Sequence, residues 1–375
     1  YVNRDSTVLP VDNTYRQQEA YLSTANVAEL LPHWSASASY DLRWNRLEAN
    51  TYQFAHPTRF THTVSAATAL DLRWLKAQAS AAGTFVRDKF EGEGANRQQE
   101  TLSRFSPALF IAFRPLALLR SPLTPGRDWL TLRAFAKRSF RMPTFNDLYY
   151  TEMGNASLRP ESATQFDIGI IADRNWERGF FSHFDVQADI YYNKVKDKII
   201  AYPKGQQFRW TMLNLGEADI RGLDVVASAS LCLSRSARLG RCLSGAVNAT
   251  LRAQYTWQRS IDVTDAADTY YRNQIPYIPR HSGSLIAAID WGALALNYSF
   301  LYTGERYNAQ ENTAYNYMQP WYTSDLSASY TVPLHGRRQL RINVQVNNLL
   351  DQQYDVILNY PMPGRNFAIG LDLNL

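Results

Sequence analysis

Apolar and polar side chains alternate along the segment from Trp34 to Trp44. Every even position in it is apolar or aromatic, and every odd position is polar. A period of two places successive side chains on opposite faces of a sheet, so the segment is predicted to be a two-faced strand. About ten residues with an aromatic near each end match a strand that crosses an outer membrane. A half-buried strand of a soluble β-sandwich would give the same alternation, and repetition of the pattern decides between the two.

The pattern recurs along the whole chain, with a bulky or aromatic residue near an end of many apolar faces. A soluble sandwich would need short strands around one shared dry core, whereas here the second face is largely polar. The sequence therefore predicts an all-β fold, a transmembrane antiparallel β-barrel with polar residues toward the lumen. Fifteen strands are predicted at 16–28, 34–46, 58–74, 76–90, 103–114, 128–139, 162–174, 180–194, 217–232, 244–258, 282–291, 294–303, 321–332, 338–349 and 365–375.

The connections alternate in length, as the periplasmic turns and extracellular loops of membrane barrels do. Counting back from a periplasmic C-terminus puts every long loop outside. Fifteen is an odd number, and bacterial single-chain barrels have an even number of strands, so we expect the chain to begin within an extracellular loop. The long loops are predicted at 47–57, 91–102, 140–161, 195–216, 259–281, 304–320 and 350–364.

Composition supports one β-barrel domain over residues 1–375. The chain is 45% hydrophobic, yet its mean hydropathy is negative and no apolar run reaches the length of a spanning helix. We find no linker or composition shift that would divide the chain. The net charge of +5 is spread along the sequence and forms no basic stripe, so we expect no nucleic-acid partner. The polar start contains no signal peptide, which favours a mature or truncated form of an exported protein.

The two cysteines, Cys232 and Cys242, flank a predicted turn. A hairpin centred on position 237 would bring them face to face on the lumen side. An oxidising periplasm permits a disulfide there, and two free thiols remain the alternative, because sequence does not give the geometry.

Four motifs, numbered first to fourth in chain order, carry a resemblance to a known family. The ending Val344–Tyr354, followed by Pro363–Phe367, resembles the ending of TonB-dependent outer-membrane receptors. Three further stretches are similar to the same family: Arg138–Tyr150 with Leu158–Glu161, Asn214–Asp224, and Pro276–His281. Physically, these motifs are typical of folding and edge-pairing elements, such as amide caps at a strand exit and a Pro-Gly turn. Gly222 is predicted to mark a bulge or a close approach of the backbone.

The resemblance implies a 22-stranded barrel, plugged by an N-terminal globular domain that couples to the TonB complex of the inner membrane. About seven strands and the plug would then lie outside this sequence. Barrels of this size are plugged transporters, and the implied location is the outer membrane of a Gram-negative bacterium, in contact with its lipid. Leu375 departs from the terminal Phe or Trp of many outer-membrane barrels.

The sequence offers no catalytic constellation. The six histidines lack metal-ligand spacing, and we find neither a nucleophile elbow nor a phosphate loop. We therefore expect neither an enzyme nor a resident cofactor. Asp262, Asp265 and Asp268 could gather around Ca²⁺, but they lack the spacing of a calcium loop, and a solvated loop is the simpler interpretation.

Ligand binding is expected in the extracellular loops, because loops on a rigid scaffold carry function. Aromatic rings offer contact area at small entropy loss, and Arg offers planar donors for carboxylates or phosphates. The alternative for each residue is girdle or loop packing. The candidates are Arg141, Phe145, Tyr149, Tyr150, Arg209, Trp210, Tyr271, Arg272, Tyr307 and Trp321.

Charged residues on the polar strand faces are predicted to contact the plug, because charges in a wide lumen need water or partners. They are Asp41, Arg43, Asp71, Arg73, Arg133 and Lys137. The resemblance implies energy-coupled uptake of a scarce small-molecule nutrient, cobalamin in the first place, with a ferric-siderophore receptor as the alternative and a surface lipoprotein as a further partner. A passive porin is the other class. A plug and coupling box upstream would distinguish the receptor from the porin.

Overall fold

The computed structural model describes residues 2–3, 11–52, 54–91, 100–118, 129–150, 154–176, 180–204, 209–232, 247–334 and 338–374. More than half of the chain lies in strands. In chain order the strands are β1 Val2–Asn3, β2 Val11–Asp12, β3 Tyr15–Leu31, β4 Trp34–Ala49, β5 Thr58–Asp71, β6 Leu75–Lys89, β7 Glu100–Phe113, β8 Leu130–Arg141, β9 Glu161–Asn175, β10 Phe181–Lys204, β11 Arg209–Cys232, β12 Val247–Asp262, β13 His281–Trp291, β14 Leu294–Thr303, β15 Arg306–Tyr307, β16 Tyr317–Met318, β17 Trp321–Pro333, β18 Gln339–Asn347, β19 Asp355–Ile357, β20 Tyr360–Pro361 and β21 Asn366–Asn374.

Fifteen of these strands form a single sheet in the order β21, β18, β17, β14, β13, β12, β11, β10, β9, β8, β7, β6, β5, β4, β3. The strands that follow one another in the chain are neighbours in the sheet, and the pairs whose register is described are antiparallel. The two-residue strands pair among themselves as β1 with β2, β15 with β16 and β19 with β20. The predicted all-β fold with fifteen antiparallel strands is confirmed.

The helical segments are short. Residues Phe145–Tyr149 form the α-helix α1, and 3-10 turns occupy Pro115–Leu118 and Ala314–Asn316. None of the helical segments in the described residues is long and apolar enough to cross a bilayer.

The register of β4 shows how the alternation is used. Trp44 lies opposite Phe60 of β5 and Ala20 of β3, whereas Arg43 lies opposite Thr61 and Tyr21. One face of these strands is therefore apolar and the other is polar, as the period of two requires.

The prediction of a loop at 195–216 is wrong. Strand β10 continues to Lys204, and strand β11 begins at Arg209. Lys194 and Lys196 alternate there with Val195, which is buried. The alternation continues here, but the exposed face carries charged residues. A prediction based on an apolar, lipid-facing side therefore ends the strand too early. For the same reason Arg209 and Trp210, predicted in a loop, begin a strand; their side chains lie outside the described part.

A smaller correction concerns the end of one strand. Strand β5 ends at Asp71, so Arg73 and Trp74 lie in the turn before β6 and not in a strand.

Cys232 ends β11 and is disulfide-bonded, and Cys242, the only other cysteine in the sequence, lies outside the described residues.

The chain divides into two compact units. Unit 1 contains residues 1–112, 135–166 and 193–218, and unit 2 contains residues 113–134, 167–192 and 219–375. A small apolar cluster in unit 1 joins the α1 region to the extended end of β10. It consists of Leu148, Leu158 and Ile199, with Tyr149 and Met212 packed against it.

In unit 2 the glycine of the second motif, Asn214–Asp224, lies under a tyrosine ring. A Cβ on Gly222 would overlap the Cζ and Oη atoms of Tyr191, and it would lie 2.8 Å from the carbonyl oxygen of Trp257. The hydroxyl of Tyr191 donates to Gln258 at 2.9 Å. Gly222 is therefore required by close approach, which is one of the two roles that the sequence predicted.

We expect Gly222→Ala to lower the free energy of unfolding by about 1–3 kcal/mol, the usual range for an overpacked site. Gly370→Ala in β21 is the matched control, because its Cβ would lie 3.8 Å from the nearest atom of Asn343. Urea unfolding in lipid vesicles, followed by tryptophan fluorescence, measures both. Equal stability of the two variants would contradict the close-approach role.

Candidate functional site

The turn into α1 in unit 1 is built by its own sequence. Thr144 caps the helix: its Oγ1 accepts the N–H of Asp147 at 3.1 Å, and the Asp147 carboxylate accepts the N–H of Thr144 at 2.9 Å. This reciprocal capping box satisfies two backbone donors at the helix start. Arg141 donates to the same carboxylate at 3.0 Å. The segment from Arg141 to Tyr149 is therefore held in one local conformation.

A buried ion pair attaches this segment to the sheet. Arg59 and Asp88 are cross-strand partners on β5 and β6, are 8% and 6% exposed, and share two hydrogen bonds of 2.8 and 2.7 Å. Arg59 also donates to the carbonyl oxygen of Pro143 at 2.6 Å, and its guanidinium lies 5.1 Å from the ring centroid of Phe145. We call these four residues the Arg59 anchor. It attaches the segment at 143–145, more than fifty residues beyond Asp88 in the chain, to strands β5 and β6.

Beside the anchor, unit 1 contains a polar cavity of about 500 Å³. Its floor is the polar face of β3 to β6, and residues Phe140 and 142–145 close one side. Both signs of charge line it: Glu19, Asp41, Arg43 and Arg59. Asp41 accepts hydrogen bonds from Tyr21 at 2.6 Å and Ser23 at 2.5 Å. We call this space the polar cavity; it can take a ligand with both donors and acceptors.

Aromatic rings gather next to α1 in the same unit. Tyr150 stacks on Tyr15 at 5.7 Å between centroids, and Phe54 meets the edges of Tyr149 and His56 at 6.1 and 5.3 Å. Tyr150 remains 43% exposed, whereas Phe145 is only 5% exposed. Of the four predicted ligand residues in this segment, Arg141 and Tyr150 are thus accessible, and Phe145 belongs to the Arg59 anchor.

The predicted loop aromatics of unit 2 are already in contact with other side chains. Arg272 lies 5.6 Å from the ring centroid of Tyr271, and Tyr307 meets Tyr317 edge-on at 5.9 Å. Trp321, the first residue of β17, is buried and stacks on Tyr354 at 4.5 Å. Burial of its ring and the nearby Asp325 raise the pKa of Tyr354 above its ordinary value.

The three loop aspartates form turns. Asp262 accepts the N–H of Thr264 at 2.8 Å, Asp265 that of Ala267 at 2.9 Å, and Asp268 that of Tyr270 at 3.1 Å. Side chains of this type often bind the backbone two residues on. Within the described ranges no group of three or more His, Cys, Asp or Glu is arranged to hold a metal ion.

The predicted plug-facing residues fall into two groups. Asp71 pairs with Lys76 at 2.7 Å, and Arg133 holds Asp189 through two hydrogen bonds of 2.9 and 2.6 Å over Gly169. Asp41 and Arg43 line the polar cavity, and Lys137 is exposed on the polar face of β8.

Four residues of these sites were not predicted from the sequence: Arg59, Asp88, Tyr354 and the buried Arg306. Arg59 and Asp88 lie on polar strand faces, and only the register of β5 with β6 brings them together. Tyr354 closes the fourth motif, which was interpreted as a folding element alone. Arg306 follows a Gly-Glu pair in a loop and carries no local signal of burial.

A family model described as "TonB dependent receptor-like, beta-barrel" matches residues 2–349. Among curated proteins, the chain is 24% identical over 227 residues to the vitamin B12 transporter BtuB of Vibrio vulnificus, covering 60% of this chain and 31% of that protein. It is also 24% identical over 245 residues to BtuB of Photobacterium profundum, covering 64% and 34%. The chain spans about a third of the length of these curated relatives.

Solved structures agree in fold. The copper transporter OprC has a TM-score of 0.67 at 14% identity, covering 96% of this chain and 58% of that one. The FrpB iron transporter of Neisseria meningitidis has a TM-score of 0.66 at 14% identity, with 96% and 55% covered. The ferric preacinetobactin receptor BauA of Acinetobacter baumannii has a TM-score of 0.65 at 12% identity, with 96% and 54% covered.

Proposed function

The chain belongs to the family of TonB-dependent receptor β-barrels, which lie in the outer membrane of Gram-negative bacteria, and on that basis we propose that it forms the wall of a receptor for energy-coupled uptake of cobalamin. The observation that carries a binding role is the polar cavity with the Arg59 anchor beside it. A loop held by a buried ion pair, a capping box and an apolar cluster presents Arg141 and Tyr150 in fixed positions, which lowers the entropy lost on binding.

Cobalamin is the proposed nutrient because the two curated sequence relatives described above are vitamin B12 transporters. The mixed charge of the polar cavity is compatible with a ligand that carries many amide donors and acceptors. A ferric siderophore is the competing ligand, and the binding experiment below includes it.

We infer that the receptor also contains a plug domain and that its barrel contacts the plug through polar residues. Asp71 and Arg133 have partners of opposite charge at 2.7 and 2.6 Å, whereas Arg43 meets Glu19 only at 3.7 Å. Asp41, Arg43 and Lys137 are then the residues with the largest expected effect on plug retention. Coupling to TonB belongs to the same proposal.

We expect Tyr150→Ala to raise the dissociation constant for cyanocobalamin about tenfold, as truncation of one aromatic anchor does. Arg141→Ala should act in the same direction. Phe145 is left intact, because its loss would disturb the Arg59 anchor. Calorimetry on the purified chain measures the binding, and heat-modifiability on gels reports whether the barrel is folded.

Tyr330→Ala is the matched control, because Tyr330 is also about half exposed but lies on β17, outside the loop that carries Arg141 and Tyr150. Binding of ferric citrate and a ferric catecholate, with no binding of cyanocobalamin, would replace cobalamin by a siderophore. Unchanged cyanocobalamin binding in both unit 1 variants would remove this loop from the site.

A further inference from the structure

Two loop segments of unit 2 enclose a second cavity, of about 520 Å³. One wall is residues 317–321, which run from β16 into β17, and the other is residues 352–361, which include β19 and β20. We call this space the aromatic cup. Rings of Tyr317, Trp321 and Tyr354 line it together with Met318, Leu358 and two prolines.

The cup carries little charge. Its polar lining consists of three glutamine amides and one carboxylate, that of Asp355, which accepts the N–H of Asn359 at 3.2 Å. An anionic group would therefore meet the like charge of Asp355. The guanidinium of Arg306 lies outside the lining, and it donates to backbone carbonyls. An uncharged ring would meet stacking partners. This lining differs from that of the polar cavity in unit 1, where charges of both signs are present.

Two contacts join the walls of the cup. The first is the stack of Trp321 on Tyr354, with 28° between the ring planes. The second is Arg306, which is 3% exposed and donates to carbonyl oxygens on both sides: Gln319 at 3.4 Å, and Asp355 and Val356 at 2.7 and 3.2 Å. A buried guanidinium satisfied by backbone carbonyls fixes two loops relative to each other, because its fork of donors is rigid.

We propose that the aromatic cup is a binding site for an uncharged aromatic group, and that Arg306 is the positioning residue that fixes its two walls relative to each other. As a subsite for part of a nutrient, the proposal rests on the function proposed above. As a binding site for such a group, it is testable separately.

The test uses two probes on the purified chain in lipid nanodiscs, 5-fluoroindole and 5-fluoroindole-2-carboxylate, titrated by fluorine NMR. We expect the carboxylate to bind at least tenfold more weakly than the neutral probe. Tyr354→Ala should weaken binding of the neutral probe by a similar factor. Tyr315→Ala is the matched control, because Tyr315 lies in the same loop, is highly exposed and does not line the cup.

Arg306 is tested by Arg306→Met and Arg306→Lys, with hydrogen exchange as the second measurement. The Met variant should bind the neutral probe at least tenfold more weakly and exchange faster in 317–321 and 352–358, with β17 and β18 unchanged. The Lys variant should have a probe affinity and exchange rates between those of the Met variant and the wild type, because an ammonium offers no planar fork of donors. Faster exchange throughout the neighbouring strands would assign Arg306 a general structural role and overturn the positioning role.

The proposal is overturned if Tyr354→Ala binds the neutral probe as tightly as the wild type, or if the carboxylate binds equally well. Cyanocobalamin is titrated beside the probes. Neutral-probe binding that depends on Tyr354, in a chain that binds neither cyanocobalamin nor a ferric siderophore, would support the cup and contradict the proposed function. The two failures are thus distinguishable.

Discussion

Asp88→Ala is expected to lower the free energy of unfolding by about 3–5 kcal/mol, because it leaves the guanidinium of Arg59 buried without its carboxylate. The pair is nearly inaccessible to water and is bidentate. Removal of one partner therefore leaves an uncompensated charge that water cannot easily solvate. The same change should loosen the loop, because Arg59 also holds the Pro143 carbonyl and the Phe145 ring.

Urea unfolding in lipid vesicles gives the stability, and hydrogen exchange of 143–150 reports the loop. Asp71→Ala is the matched control, because the pair of Asp71 with Lys76 has a similar distance of 2.7 Å but is exposed. We expect this variant to lower the free energy of unfolding by about 0–1 kcal/mol. The double variant Arg59→Met/Asp88→Leu should recover much of the loss, since it removes both charges. A loss for Asp88→Ala no larger than for Asp71→Ala would show that the buried pair contributes nothing special.

The strands could be predicted from sequence because their signal is local. The alternation from Trp34 to Trp44 appears in β4, which runs from Trp34 to Ala49, and the hairpin turn at residues 32–33 lies in the short connection predicted before it. Period two needs no knowledge of the partner strand. It fails where the chemistry of one face changes, as in the charged extension of β10 past Lys194.

The Arg59 anchor could not be predicted in the same way. Arg59 and Asp88 are 29 residues apart, and Pro143 is 84 residues from Arg59, so their meeting depends on the register of β5 with β6 and on the path of a distant loop. A polar strand face could equally be solvated. Phe145 shows the consequence: an aromatic in a long loop suggested a ligand contact, and the structure places it under a guanidinium.

The role of the fourth motif, Val344–Tyr354, could be predicted only in part. Its amides were interpreted as caps for a strand exit, and Asn348 does this directly after β18. Its side-chain oxygen accepts the N–H of Gln352 at 2.9 Å, and its amide donates to the carbonyl oxygens of Gln352 and Pro363 at 2.9 and 3.3 Å. The connection to Tyr354 and the aromatic cup, in contrast, requires knowledge of where the loop goes.

We expect Asn348→Ala to lower the free energy of unfolding by about 3 kcal/mol. Asn348 is 4% exposed, so the variant leaves the N–H and the carbonyl oxygen of the half-buried Gln352 without their partner, at about 1 kcal/mol each, whereas the carbonyl of the exposed Pro363 can turn to water. A backbone φ of 50° adds strain of about 1 kcal/mol for alanine, which Asn tolerates better. Asn347→Ala is the matched control, because the side chain of Asn347 makes only exposed hydrogen bonds, accepting from Gln345 and donating to Asn366.

Asn348→Gly separates the two contributions. Glycine accepts positive φ without penalty but makes none of the three side-chain hydrogen bonds, so its stability should lie above that of the Ala variant and well below that of the wild type. The same loop carries Tyr354, and both variants should therefore weaken binding of the neutral probe in the aromatic cup, whereas Asn347→Ala should not. Stability and binding that match the wild type in Asn348→Gly would assign the role of Asn348 to its backbone conformation alone.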